Sequence, residues 1–503
     1  MIKRMFENIK GFLFTNRTIR QTVAKNAFWL GVSNIGGRLL RAVIIIYAAR
    51  VLGAAEWGVF SYAVTLAAFL TVFVDLGINH VLTRETAKTA DPIERARLLS
   101  TTFYLKIPFI LGAIAVIVFL APRFTAIEAA KALFPIVALI VVFDALREFG
   151  FALTRALEKM EWEAGLFLFT NAAIVVAGFI SLADAPRVES FTYAYAAGTG
   201  IGMVATFFAI RKYARRIFSS LSVPLIKPIL LSAWPFAVSG LLGVLMVNTD
   251  ILIIGWLRSA EDVGLYSAAL RIIQLLYILP AILASSALPM FSRLARVDDQ
   301  KMRTALTSIV GLAFLAAVPL ALGGTLLGEG VIRFIFGNDY APAGVPFQIL
   351  MTTMLADFPA VILSNAIFAY NSQKNLVAYA AIGGIANVAL DFLLIPPFGI
   401  IGSAWATLFA QVISNIYLWR AAKRITGFEI APRLKNIILA SAGMGAVSLS
   451  GILMHLHVVP NIFISAAAYF GILHALKDPL LKEIWRIVSP LSSQESTERT
   501  TPF

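Results

Sequence analysis

Residues 229–256, ILLSAWPFAVSGLLGVLMVNTDILIIGW, run for 28 positions with one charge, Asp250. At about 1.5 Å per residue such a stretch, if helical, outreaches a hydrocarbon layer of about 30 Å. Comparable apolar blocks recur on both sides of it: near 26–49, 58–82, 99–121, 132–153, 163–183, 190–210, 264–289, 304–327, 346–369, 375–395, 400–420, 434–455 and 460–476. The whole chain is 59% hydrophobic and 14% charged over 503 residues, whereas a soluble domain carries charge at about a quarter of its positions. The solvent for most of this chain is therefore lipid. The reading is an all-α integral membrane protein with about fourteen transmembrane helices.

Little is left outside the bilayer. The connecting segments are short, and none has room for a folded extramembrane domain. At the N-terminus, Phe6, Ile9, Phe12 and Leu13 mark one face of a short interfacial helix, with Lys3, Lys10 and Arg17 among the headgroups. That segment lacks a signal-peptide pattern, since charge interrupts its apolar residues. The C-terminal SSQESTERTTPF reads as a disordered tail. With no cysteine, disulfides, thiolate metal sites and thiol nucleophiles are excluded. His80, His455, His457 and His474 are scattered, and the pair two residues apart shares no helical face, so no metal centre is expected.

The net charge of +14 is a topology signal. With the N-terminus placed in the cytoplasm, 32 Lys and Arg fall on the inner side. The outer side holds six: Arg50, Arg123, Lys131, Arg187, Arg258 and Arg333. Basic loops stay inside and are attracted to anionic headgroups, so both termini are expected in the cytoplasm and nucleic acid is set aside.

The chain also carries a weak copy of itself. Trp57–Ala63 reads WGVFSYA and Val263–Ala269 reads VGLYSAA; Gly58, Ser61 and Ala63 align with Gly264, Ser267 and Ala269. Each motif follows a long span entered near a tryptophan (Trp29, Trp234) and precedes a basic cytoplasmic loop. Asn171 and Asn387 fall in corresponding spans. Both halves begin inside and hold an even number of spans, so the repeat is parallel, about an axis along the membrane normal. The expected organisation is an interfacial segment (1–25), an N-lobe (26–215) and a C-lobe (225–424) of six helices each around a central cleft. Two C-terminal helices (430–488) and the tail (489–503) follow.

Several stretches carry a family likeness. Lys25–Leu30, Ala49–Gly53, Trp57–Ser61 and Asp75–Ile78 through Thr83–Glu85 resemble the opening of polysaccharide flippases of the O-antigen type. These belong to the multidrug/oligosaccharidyl-lipid/polysaccharide exporter superfamily. Asn248–Gly255 and Leu394–Ala404 are similar to later parts of the same family. The likeness covers nearly the whole chain in order, although no single motif is catalytic. It implies a membrane transporter, not an enzyme, that carries a polyprenyl-(pyro)phosphate-linked oligosaccharide across the cytoplasmic membrane by alternating access. Many such flippases have twelve spans, so spans 13 and 14 depart from the pattern.

Taking the 38 basic residues assigned to the two sides from the 42 Lys and Arg leaves four for the membrane interior: Arg38, Arg41, Lys106 and Arg271. At a helix centre each costs about 2.5–3.5 kcal/mol on insertion scales, so each needs water or a partner. Arg38 lies about 18 Å into the first span, and Arg41 follows at i+3 on the same face. The phosphate of a lipid-linked sugar is the part hardest to move through a low dielectric, and guanidinium groups answer it with charge-assisted hydrogen bonds. These four are the expected substrate-binding set; pairing with buried acids for structure alone is the competing reading. Of the buried carboxyls, Asp144 and Asp357 lie midway down corresponding spans and are candidates for coupling to protons or sodium. Asp75, Asp250 and Asp391 are expected in gating or structural roles. Gly198, Gly200 and Gly202 suggest close helix packing, and Pro108, Pro235, Pro280, Pro319 and Pro359 suggest kinks.

The nearest alternative is an ion-coupled multidrug exporter of the same fold, whose cleft would be acidic and aromatic. A membrane glycosyltransferase or polymerase stands further off, because the outer loops are short and Asp184, Glu189, Glu261 and Asp262 form no metal-binding set. Expected partners are the lipid-linked oligosaccharide and membrane lipids, with the protein as a monomer and no cofactor beyond a coupling ion.

Overall fold

The computed structural model describes residues 19–89, 91–218 and 221–481, and among them there is no strand. The interfacial helix expected around Phe6–Leu13 and the tail at 489–503 lie outside the described residues. In chain order the helices are α1 (Ile19–Asp75), α2 (Ile78–Lys88), α3 (Pro92–Ala115), α4 (Ala121–Phe124), α5 (Glu128–Ala156), α6 (Met160–Asp184), α7 (Val188–Ala209) and α8 (Arg211–Ile217). Then come α9 (Val223–Leu257), α10 (Ala260–Leu276), α11 (Ile278–Leu294), α12 (Asp299–Phe336), α13 (Gly344–Ala369), α14 (Gln373–Thr426), α15 (Ala431–Leu453) and α16 (Val458–Ala475). Eleven segments of the described chain are long and apolar enough to cross a membrane. Lipid offers no hydrogen bonds, so a spanning backbone must satisfy itself, and the helix does so within one segment. Threonines inside the spans follow the same rule: the hydroxyls of Thr170, Thr192, Thr199 and Thr206 each donate to the carbonyl one turn back.

Two of the eleven are far too long for one crossing, at 48 and 54 residues. Each turns at a glycine with positive φ: Gly53 (φ 75°) in α1 and Gly399 (φ 58°) in α14. The first two expected spans are thus joined without an intervening loop. Conversely, two expected spans are interrupted. The span expected at 58–82 breaks at Leu76 and Gly77, and the one at 264–289 breaks at Tyr277. Pro280 then falls in the first turn of α11, where its missing N–H removes no helical bond.

The chain packs as two compact units, 1–275 with 383–406, and 276–382 with 407–503. This packing division differs from the lobe division that the repeat suggests. In the first unit, Leu82, Leu99, Phe149, Leu153 and Ile210 form an apolar core, and Ile78, Val81, Leu98, Ile229 and Ala233 a second. Gly198 and Gly202 of α7 let α6 approach so closely that a methyl group would lie 2.7 Å from the Ile174 backbone and 2.2 Å from Thr170. In the second unit, α15 and α16 pack Ile437, Met444, Tyr469 and Leu473 around Leu315 of α12, and the Tyr469 hydroxyl donates to the Leu315 carbonyl.

The repeat becomes a physical contact inside the first unit. Ser267 Oγ lies 3.1 Å from Ser61 Oγ, and the two residues are 206 positions apart, the offset of the repeat itself. Gly58 and Gly264 meet beside them: a methyl group on Gly58 would fall 1.7 Å from the Ala260 carbonyl, and one on Gly264 1.8 Å from that of Ala54. Equivalent residues touching each other is the signature of a two-fold axis passing between them.

Candidate functional site

Arg38 and Arg41 stand on the first half of α1, one turn apart. Arg38 is exposed and Arg41 half-buried. The Nε of Arg41 donates to Asn171 Oδ1 on α6 at 3.2 Å, and the Asn171 amide donates in turn to the Phe167 carbonyl at 2.8 Å. That second bond fixes which end of the amide faces the arginine. Arg271, on α10, donates to Gln274 one turn on at 3.1 Å, while its Nε–H is buried without an acceptor. Arg41 and Arg271 lie within reach of each other's field, and Tyr195 of α7 lies within reach of Arg271. Two guanidinium groups from distant parts of the sequence are thus brought together, their described hydrogen bonds going to neutral amides. Like charges in a low dielectric repel.

Lys106 does not join them. It is 2% exposed, and its ammonium group contacts Asp75 at 3.0 Å and Asn79 at 2.8 Å. These two residues flank the break between α1 and α2, so Lys106 bridges it. The break itself needs Gly77, with φ at 77° and its α-carbon so close to α9 that a methyl group would lie 2.5 Å from the Ala233 carbonyl.

The expected coupling carboxyls separate as well. Asp144 on α5 is paired to Arg147 at 2.7 Å, so its charge is already answered. Around it lies a set whose two arginines, Arg147 and Arg155, the charge count assigned to the cytoplasmic side. Arg147 is 6% exposed, Glu148 is half-buried, and Arg155 reaches Glu163 at 2.6 Å. That assignment fails for Arg147, which falls within the span expected at 132–153, and for Arg155, because α5 continues to Ala156. The available signal was the Asp144–Arg147 spacing of i, i+3. In the second unit Asp357 of α13 is 4% exposed and accepts from Tyr277, at the helix break, and from Asn415 at 3.0 Å.

Asp250 and Asp391 are not at helix ends. In the first unit Asn387 donates to Asp250, and to Asp391 at 3.1 Å; Ser403 donates to Asp391 at 3.0 Å and Tyr266 to Asp250 at 2.6 Å. Both carboxyls are at most 3% exposed. Among the described residues no group of three or more His, Cys, Asp or Glu is placed to hold a metal ion.

Residues 23–295, more than half of the chain, match the family described as polysaccharide biosynthesis protein. A probable low-salt glycan biosynthesis flippase, Agl15, of Haloferax volcanii is 24% identical over 400 residues, covering 78% of this chain and 82% of that one. A putative O-antigen transporter of Shigella flexneri is 24% identical over 441 residues, covering 81% of this chain and all of that one. Among solved structures, the lipid II flippase MurJ in an inward closed conformation superposes with a TM-score of 0.76 at 18% identity, covering 91% of this chain and 98% of that one. These relatives are named as flippases and transporters, not as catalysts. An all-helical membrane fold and the matched profile agree: the chain belongs to the polysaccharide biosynthesis protein family.

Proposed function

We propose that the protein flips a polyprenyl-(pyro)phosphate-linked oligosaccharide across the cytoplasmic membrane by alternating access, as a monomer with both termini in the cytoplasm. The observation that carries this is the convergence of Arg41 and Arg271, with Asn171 and Gln274 as their hydrogen-bond acceptors. A phosphate entering between them replaces repulsion with charge-assisted bonds and gives the orphaned Arg271 Nε–H an acceptor. Arg38, one turn along the same helix and exposed, extends the basic surface. The names of the glycan flippase from Haloferax and of the O-antigen transporter support the substrate class. The glycine seam at Gly58 and Gly264 supports alternating access: the two repeats close on each other there, and a transporter of this kind must part such a seam.

Coupling to an ion is part of the reading. Asp250 and Asp391 share one amide, so their charges oppose each other, and a proton or sodium ion relieves that opposition. Asp357, held by neutral donors, is a second candidate.

In reconstituted vesicles, the wild type is expected to flip a fluorescent polyprenyl-pyrophosphate sugar. Arg41→Gln and Arg271→Gln each slow it by about ten- to a hundredfold, the equivalent of a charge-assisted hydrogen bond of roughly 1.5–3 kcal/mol, while both variants stay folded. Unchanged rates in both variants refute the phosphate passage. Movement of a cationic dye without movement of the lipid-linked sugar would favour the multidrug exporter.

A further inference from the structure

The charged set around Arg147 has uneven numbers. Arg147 and Arg155 of α5 and Lys106 of α3 supply three positive charges. Against them stand four carboxyls: Asp75 at the end of α1, Asp144 and Glu148 on α5, and Glu163 on α6. These form one electrostatic unit. Glu148 feels Lys106 as well as both arginines, and Arg155 feels Asp75.

Three of the carboxyls have a close partner of their own. Asp75 has Lys106 at 3.0 Å and Asp144 has Arg147 at 2.7 Å. Glu163 takes a forked contact from Arg155, at 2.6 and 2.9 Å. Glu148 has only what remains: Arg147 at 3.6 Å and Arg155 at 3.7 Å, both beyond hydrogen-bond length and both already engaged. Removing one negative charge costs least there. Access is uneven in a useful way. The Lys106, Arg147 and Glu163 side chains are 3%, 7% and 8% exposed, which closes one side of the set, while Glu148 is 35% exposed. Tyr195 of α7 lies within reach of Arg147. On α2, Arg84 and Lys88 bond to Glu85, and Thr83 donates to the Ala152 carbonyl.

We propose that Glu148 is a proton-binding site, the carboxyl whose protonation brings the set to neutrality and whose release lets a proton accompany the transport cycle. This rests on the transport reading above and names one coupling ion as H⁺. The binding step is simple: an aqueous proton adds to a Glu148 carboxylate oxygen, and the seven-member set passes from net −1 to zero.

The test uses the full-length protein in vesicles, with flipping of a fluorescent polyprenyl-pyrophosphate sugar followed between about pH 5 and pH 9. Wild type should show a one-proton step in the rate, with any coupling ion at Asp250, Asp391 or Asp357 being sodium. Glu148→Gln, neutral at every pH, should lose that step and slow at least tenfold under an imposed pH gradient, with its KM within threefold of wild type. Glu163→Gln should keep the pH profile while lowering thermal stability, because Glu163 is a structural partner. A wild-type pH profile in Glu148→Gln, or a flat profile in wild type, overturns the proposal. Infrared difference spectra on a pH jump give a reading independent of transport: a protonated-carboxyl C=O band present in wild type and lost in Glu148→Gln. If that band is present and no lipid-linked sugar moves, the transport reading fails and the proton site stands. If sugar moves and the band is absent from wild type, the proton site fails alone.

Discussion

Asn171 and Asn387 occupy corresponding spans of the two halves and do different electrostatic work. Asn171 turns its oxygen to Arg41, so a cation is held by a neutral acceptor and keeps its charge for use. Asn387 turns its nitrogen to two carboxyls and holds them side by side. The sequence shows that both asparagines matter, because amides are costly in lipid, but not which end of each amide is presented. Lys106 is the residue whose role changes most between sequence and structure. Read alone, it is a cation at membrane depth and so a ligand for an anion; folded, it closes the break after Asp75. Lys106→Met should therefore lower stability by about 1–3 kcal/mol, less than the roughly 3–5 kcal/mol of a fully buried pair because Asp75 is 25% exposed. The measurement is thermal or denaturant unfolding in detergent, beside the KM for the lipid-linked sugar. A stable variant with a raised KM would return Lys106 to the substrate-binding set.

At the scale of elements, apolar length is legible and helix ends are not. Every expected span falls on helical chain, some of them divided between two helices, because lipid leaves the backbone no other choice. The ends depend on local details that hydropathy averages away. Gly53 turns α1 without a loop, Leu76 and Gly77 interrupt the next crossing, and α5 continues past the expected end to Ala156, taking Arg155 with it. The repeat, by contrast, is legible to the residue: an offset of 206 predicts equivalence, and Ser61 meets Ser267 at that offset. Since the chain has no cysteine, the seam can be tested cleanly. With both serines replaced, Ser61→Cys/Ser267→Cys should be joined by a mild oxidant or a short thiol crosslinker, and flipping should stop until reduction. Each single variant should flip normally under the same treatment. A crosslinked protein that still flips at the wild-type rate would mean that the seam does not part during transport.

At the scale of the whole chain, alternation of the spans can be checked from contacts between connecting segments. Within the first unit, Lys25 before the first span pairs with Glu161 between the fourth and fifth, and Glu56 after the first span accepts from the Val188 N–H before the sixth. Within the second unit, Arg303 reaches the Thr426 carbonyl, Arg296 reaches the Tyr370 carbonyl, and Phe334 stacks edgewise on His457. Each contact joins segments that the span count assigns to one side, which agrees with the alternation but does not set the hand. The hand comes from charge. Six basic residues are expected outside and 32 inside, and moving a cation against a membrane potential costs about 2.3 kcal/mol per 100 mV, so inverting the protein would oppose the membrane field at each surplus charge. Two highly exposed positions read this out: Met454 (80%), between the last two helices and expected outside, and Val297 (81%), between α11 and α12 and expected inside. In intact cells a membrane-impermeant maleimide should label Met454→Cys and leave Val297→Cys untouched until the membrane is permeabilised. The opposite pattern would invert the topology, and labelling of both in intact cells would break the alternation on which the two-lobed reading stands.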